Sequence, residues 1–295
     1  MQQTRVLIAL AALLGPGAAA VRADDAVRAA VSFRYDVLPA FTKAGCNAGT
    51  CHGTPTGKNG FRLSLRGYDP DLDFETLTRE VHGRRIDRLD PDRSLILLKA
   101  TTQLPHEGGR RFDIASDFYA LLRDWVAQGA RHDSQAAPTL VALEAAPPRQ
   151  IIEREHSSAP LRVTARFADG SQRDVTSLAR FSVNDESVAS VAADGRLERH
   201  RRGEVTVSAE YASRFATATV VFREELPGYV WPSPPENNEI DRLVFEKLQQ
   251  LAIEPSPLCT DEEFVRRVHL DAIGRLPTAG EVRQFLADSD AEKRP

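Results

Sequence analysis

The sequence predicts a multidomain protein: a mainly α N-terminal domain, then an all-β sandwich, then a short α-helical segment. Apolar residues recur at helical spacing before residue 133, alternate with a period of two between about 138 and 223, and return to helical spacing after 238. The 295 residues are 42% hydrophobic and 27% charged, an ordinary globular mixture that excludes disordered, collagenous and membrane-embedded classes. A net charge of -4 without a basic block argues against nucleic acid as a partner, because neutralising phosphates needs clustered Lys and Arg.

Residues 1–23 read as a secretory signal peptide. Arg5 supplies a positive n-region, Val6 to Ala20 is an apolar run too short to span a bilayer, and Val21-Arg22-Ala23 offers a cleavage site. No later apolar run is long enough for a transmembrane segment, so the expected product is exported to the periplasm or cell surface.

In residues 25–133, Val27, Val31, Val37, Leu38 and Phe41 form an amphipathic pattern that Pro39 should kink or delay. Phe118, Leu121, Leu122, Trp125 and Val126 make a clearer helix, with Ser116 as N-cap, Gly129 as stop and Trp125 as core. Phe61, Leu63 and Leu65 alternate with polar neighbours after a Lys58-Asn59-Gly60 turn, which predicts a short strand or extended segment. In residues 138–223, Leu161 to Phe167, Val205 to Tyr211 and Ala216 to Val220 alternate as strands, punctuated by Asp169-Gly170 and Asp194-Gly195 turns. A proline-rich linker, 224–237, precedes 238–295, where Thr260 with Glu263 and Thr278 with Glu281 fit capping boxes.

The chemistry-bearing motif is Cys46-Asn-Ala-Gly-Thr-Cys51-His52. Two cysteines followed directly by histidine suit covalent haem c, with thioethers to both vinyl groups and the histidine under the iron. The usual gap of two residues is four here, and small Ala48 and Gly49 permit the extra pair to bulge. Two other readings use the same residues: a Cys46–Cys51 disulfide in an oxidising compartment, or zinc held by both cysteines and further histidines. The sole methionine is Met1, so a distal methionine is excluded within the chain. His106, in a proline-fixed, glycine-flanked loop, is the preferred distal ligand, and His82 is the alternative. His132, after the last helix of the domain, reads as solvated, and His156, His200 and His269 as surface or helix-face residues. Arg62, Arg66, Arg84, Arg85, Arg110 and Arg111 are candidates to neutralise haem propionates or simply to solvate a face. Cys259 is left without a partner.

From about Val31 to Arg131 the sequence resembles the cytochrome c domain of planctomycete secreted proteins. Asp90-Pro-Asp-Arg-Ser-Leu-Ile-Leu-Leu98 and Leu122-Arg-Asp-Trp125-Val-Ala-Gln-Gly129-Ala130 carry the likeness, and Pro105-His106-Glu-Gly-Gly109 stands where such domains often place a Met-Pro-Pro loop. The resemblance implies a covalent haem, with departures in the cysteine gap and in histidine for methionine. Phe167-Ala-Asp-Gly-Ser-Gln-Arg-Asp-Val-Thr176 and Ser182-Val-Asn-Asp-Glu-Ser-Val-Ala189 are similar to bacterial Ig-like group 2 domains. Ile240-Asp-Arg-Leu-Val-Phe245 and Phe264-Val-Arg-Arg-Val-His-Leu-Asp271 resemble the start of an uncharacterised domain of the same planctomycete proteins, which implies a chain cut short.

The expected function is electron transfer by an exported haem module with metal ligands His52 and His106, more an electron carrier than a catalyst. Two strong axial ligands leave no open iron position, and bis-imidazole ligation implies a lower potential than His–Met ligation. The expected partners are a redox protein of unknown identity and, through the Ig-like domain, a cell surface or polysaccharide. The rival reading is a non-redox surface scaffold stapled by a Cys46–Cys51 disulfide.

Overall fold

The computed structural model describes residues 30–133, 137–153, 158–224 and 226–294. The expected signal peptide and His156 lie outside the described residues. The chain divides into two compact units. One holds the residues up to Leu143 with Ala165–Arg180 and Glu210–Phe215; the other holds Glu144–Thr164, Phe181–Ala209 and the residues from Ala216 on.

The N-terminal region is not a mainly α cytochrome-type domain. Among residues 30–133 it has four short helices, α1 (Leu38–Lys43), α2 (Pro70–Thr78), α3 (Leu95–Ala100) and α4 (Asp117–Ala127), and turns fill most of the rest. The apolar spacing was read correctly, but helix-breaking residues divide it. Pro39, Pro70 and Pro91 each lie in the first turn of a short helix or 3₁₀ segment, where the missing N–H costs nothing. Gly45, just past α1, and Gly67 and Gly83, at the ends of 3₁₀ segments, adopt the left-handed conformation that ends a helix, and Gly57, Gly60 and Gly109 adopt it in turns. The expected extended segment at Phe61–Leu65 shrinks to a bridge between Lys58 and Phe61, and Leu65 turns into a 3₁₀ segment.

Ser32 starts the region. Its hydroxyl accepts the Tyr35 amide at 2.9 Å, and its carbonyl takes the amides of Asp36 and Val37, winding Phe33–Val37 into a π-helical turn that feeds α1. The break expected at Pro39 falls at this junction. Ser116 caps α4 as expected, and Gly129 follows its end at φ 95°. α4 turns Leu122, Trp125 and Val126 into a core shared with Phe33, Val37 and Leu97. The Phe33 and Trp125 rings lie 5.3 Å apart, and the indole N–H donates to the Arg131 carbonyl at 2.9 Å. Tyr35 gathers the β residues of this unit. Its hydroxyl accepts the Leu140 amide, its carbonyl accepts the Tyr211 hydroxyl at 2.7 Å, and its ring meets Phe167 edge-on at 5.1 Å.

The central region is β-rich, but it forms three small sheets rather than the expected two-sheet sandwich. Its strands are β1 (Leu140–Ala146), β2 (Arg149–Ile152), β3 (Ser158–Pro160), β4 (Arg162–Phe167), β5 (Gln172–Asp174), β6 (Arg180–Val183), β7 (Ala189–Val191), β8 (Arg196–Arg199), β9 (Gly203–Tyr211) and β10 (Arg214–Phe222). They order as β1-β4-β5, β2-β10-β9-β6 and β3-β8-β7. β2 runs parallel to β10, with Arg149 opposite Thr219 and Ile152 opposite Phe222. The period-two reading holds: Leu161, Val163, Ala165, Val205, Val207 and Val220 are all buried. Helices α5 (Glu239–Leu251), α6 (Asp261–Ile273) and α7 (Ala279–Ala287) close the chain, and both expected capping boxes form.

Truncating Trp125 to alanine removes the largest fully buried side chain of the first core. Trp125→Ala should lower the unfolding free energy by roughly 3–5 kcal/mol, measured by denaturant titration. A loss below about 1 kcal/mol would mean that this indole is not the core anchor.

Candidate functional site

The two cysteines and His52 sit on consecutive turns after α1. The Cys46 amide donates to Phe41 O, which ties the motif to the end of the helix, and the His52 amide returns to Cys46 O at 3.0 Å. The extra pair between the cysteines is wound in: Ala48 O accepts the amides of both Cys51 and Gly53. The neighbouring Asn47 is 1% exposed, and its Nδ2 donates to Thr42 Oγ1 at 2.9 Å. At Gly53 a Cβ would lie 2.2 Å from Asn47 O, so only glycine fits after the histidine.

Both thiols are free, so the disulfide of the rival reading is not formed. Burial pushes the Cys46 thiol up to about 12, against the opposing pull of Arg111. Among the described residues no three His, Cys, Asp or Glu side chains converge as a metal cage, so the zinc reading lacks a ligand set there. Arg111 Nη2 donates to Cys51 Sγ at 3.1 Å.

His52 and His106 come together, although 54 positions separate them in the sequence. Their rings lie 6.3 Å apart, centre to centre, and are parallel within 9°. Each ring is oriented by a backbone carbonyl: His52 Nδ1 donates to Phe61 O at 3.0 Å and His106 Nδ1 to Gly109 O at 2.8 Å. With the proton on Nδ1, each Nε2 keeps its lone pair, which is the ligating tautomer. Burial is the largest influence on His52 and holds its pKa below the usual value, favouring the neutral ring. Nε2 sits about 1.1 Å from its ring centre and a metal–imidazole bond is about 2 Å, so two rings sharing one ion in line have centres about 6 Å apart. The observed 6.3 Å between ring centres is of that length, with the ring planes parallel, and imidazole nitrogens are donors of the kind a haem iron takes. Leu65, 49% exposed, lies against Gly49 and offers apolar surface beside the motif.

Several supporting residues were not legible as site residues. Phe61 packs its ring 4.4 Å from His52 and also supplies the carbonyl for Nδ1. Arg85 was expected among propionate partners, but it is buried. Its guanidinium lies 4.6 Å above Phe61 and donates to Thr76 O and Gly60 O, holding the back of the site. Of the other arginines, Arg110 pairs with Asp113 and Arg66 with Glu210. Leu63 N–H closes onto His52 O at 2.8 Å, and the next residue, Ser64, gives both its amide and its hydroxyl to the buried Asp73 carboxylate.

The remaining histidines lie elsewhere. His82 is exposed in a strained 3₁₀ turn at φ 58°. His132, expected to be solvated, is half-buried. Its ring meets Phe74 at 4.7 Å and its Nε2 lies 3.0 Å from Asp71. Cys259 is half-buried just before the N-cap of α6.

Residues 239–295 match the PSCyt2 family, described as a protein of unknown function (DUF1549). That match covers the C-terminal helices and not the cysteine motif. No curated protein matches the chain. Among solved structures, domains 4 and 5 of the S-layer protein SbsC are similar at 14% identity, covering 29% of this chain and 53% of that one, with a TM-score of 0.24. The chain therefore spans about half of that structure. No described helix is long and apolar enough to cross a membrane.

Asp73 gives a pH signature. Burial raises its pKa to about 6 in the folded chain, against roughly 3.9 when unfolded. The folded state holds the proton more tightly, so this contribution to stability is complete below pH ~4 and is lost as pH rises through ~6. Asp73→Asn should remove up to about 3 kcal/mol of that fall, seen as the wild-type minus variant difference in unfolding free energy between pH 4 and 7. Equal slopes in the two proteins would refute the assignment.

Proposed function

We propose that this protein is an exported electron carrier that binds haem covalently at Cys46 and Cys51, with His52 and His106 as its two axial ligands. The observation that carries the reading is the parallel His52–His106 pair, with Nδ1 of each ring spent on a carbonyl. Haem held there supplies a one-electron iron couple.

The chain's own residues account for the rest. Phe61 O and Gly109 O accept from Nδ1 of each ring, which fixes its orientation and, in the neutral ring, leaves Nε2 as the lone-pair nitrogen. The hydrogen-bonded turns between Cys46 and Gly53 tie the backbone of His52 to that of Cys46 and set the spacing of the motif. Haem held by imidazole from both His52 and His106 would have no open iron position, so the reading implies outer-sphere transfer to a redox partner and no oxygen activation. Export to the periplasm or cell surface rests on residues 1–23, and the β-rich region is the candidate for contact with a cell surface or polysaccharide.

The test is expression with a c-type haem maturation system. The denatured chain should keep haem through its mass shift, and the folded chain should show low-spin bands. Cys46→Ser with Cys51→Ser should abolish the covalent mass. His106→Ala should convert the spectrum to high-spin or ligand-exchanged, while His82→Ala leaves it unchanged. A bare polypeptide mass in the wild type would end the reading.

A further inference from the structure

A second site lies in the first unit, lined by none of the cysteine-motif residues. It is a cavity of about 250 Å³, lined by three arginines, Arg34, Arg66 and Arg214, and among the described residues by none that bears a carboxylate. They come from three separate stretches of chain: the π-helical turn before α1, the Leu65–Gly67 3₁₀ segment and the first residue of β10.

Their charge is incompletely neutralised. Glu210 meets Arg66 at 3.4 Å but also takes Arg180 at 3.0 Å, so one carboxylate serves two cations. Among the described residues Arg34 meets Asp71 at 4.0 Å, a carboxylate that is 81% exposed. Arg214 donates to the neutral Leu140 carbonyl at 3.3 Å. The Arg34 Nε is buried with no hydrogen-bond partner, a donor that costs stability until something accepts from it.

The backbone is also strained around this cavity. Arg66 lies at φ 56°, and Ala212 and Ser213 at φ 46° and 61° form a two-residue hairpin turn where Asn-Gly is the easy choice. Side-chain-bearing residues held in left-handed conformations gather where a site needs their direction. Tyr68, 68% exposed, adds an aromatic face to the same wall.

We propose that this cavity binds an organic anion the size of one sugar residue, gripping its carboxylate or sulfate through Arg34 and Arg214. The planar fork of arginine suits both oxyanions, and the volume falls below that of a drug-sized pocket. The site is independent of the haem reading.

The probes for calorimetric titration of the full exported chain are glucuronate, glucose 6-sulfate, glucose and inorganic sulfate, each at low and high salt. Glucuronate, glucose 6-sulfate or both should bind, weakening with salt, while glucose does not. Arg34→Gln and Arg214→Gln should each weaken binding about tenfold, the loss expected for one charge-assisted hydrogen bond, with the unfolding midpoint unchanged. If Arg214→Gln lowers the midpoint, Arg214→Lys replaces it; it keeps the charge and should still weaken binding by losing the fork. Three outcomes overturn the proposal: no anion binds, binding survives the double glutamine variant, or inorganic sulfate binds as tightly as glucose 6-sulfate.

Discussion

The hydrogen bond from His52 Nδ1 to the Phe61 carbonyl is the constraint on which the site depends. It selects the nitrogen that remains a lone-pair donor, and it can do so only if residue 61 stays behind the ring. A series of main-chain and buried polar contacts keeps it there. Lys58 and Phe61 exchange backbone bonds, Arg85 grips Gly60 O and covers the Phe61 ring, and Leu63 closes onto His52 O. Asp73 then fixes Ser64, the next residue. The region is poor in helix, and its key side chain is held instead by turns that are each bonded to their neighbours.

The motif and several local signals were legible in the sequence because each depends on a few adjacent residues. Ser116, Thr260 and Thr278 cap helices as their side-chain chemistry requires, and the alternation in β4, β9 and β10 buries the expected faces. The choice of His106 over His82 rested on a proline before it and glycines after it, and the fold brings His106, not His82, beside His52. Less could be read where burial reverses ordinary chemistry. Arg85 looks like a solvated loop cation, and nothing local reveals that Thr76 O and Gly60 O will take its protons. Asp73 is likewise buried, which no sequence pattern around it signals.

Helix content was the larger misreading. Apolar spacing identifies the face a segment buries, but it does not give the length over which the backbone can stay helical. In residues 30–133, prolines at helix starts and left-handed glycines at turns divide the pattern into pieces too short for a bundle. The three-sheet arrangement was likewise beyond reach, since alternation marks a strand without naming its neighbour; the parallel pairing of β2 with β10 joins residues about 70 positions apart.

The four-residue gap between the cysteines has a consequence for how such a motif can change length. Asn47 and Ala48 are not slack: the first anchors to Thr42 and its carbonyl meets the Arg66 amide, and the second holds both Cys51 and Gly53. Cutting the gap back to two residues would take out bonds that tie the motif to α1 and to the following 3₁₀ segment. Spacing and scaffold are therefore coupled characters, and a lineage could shorten one only by rebuilding the other.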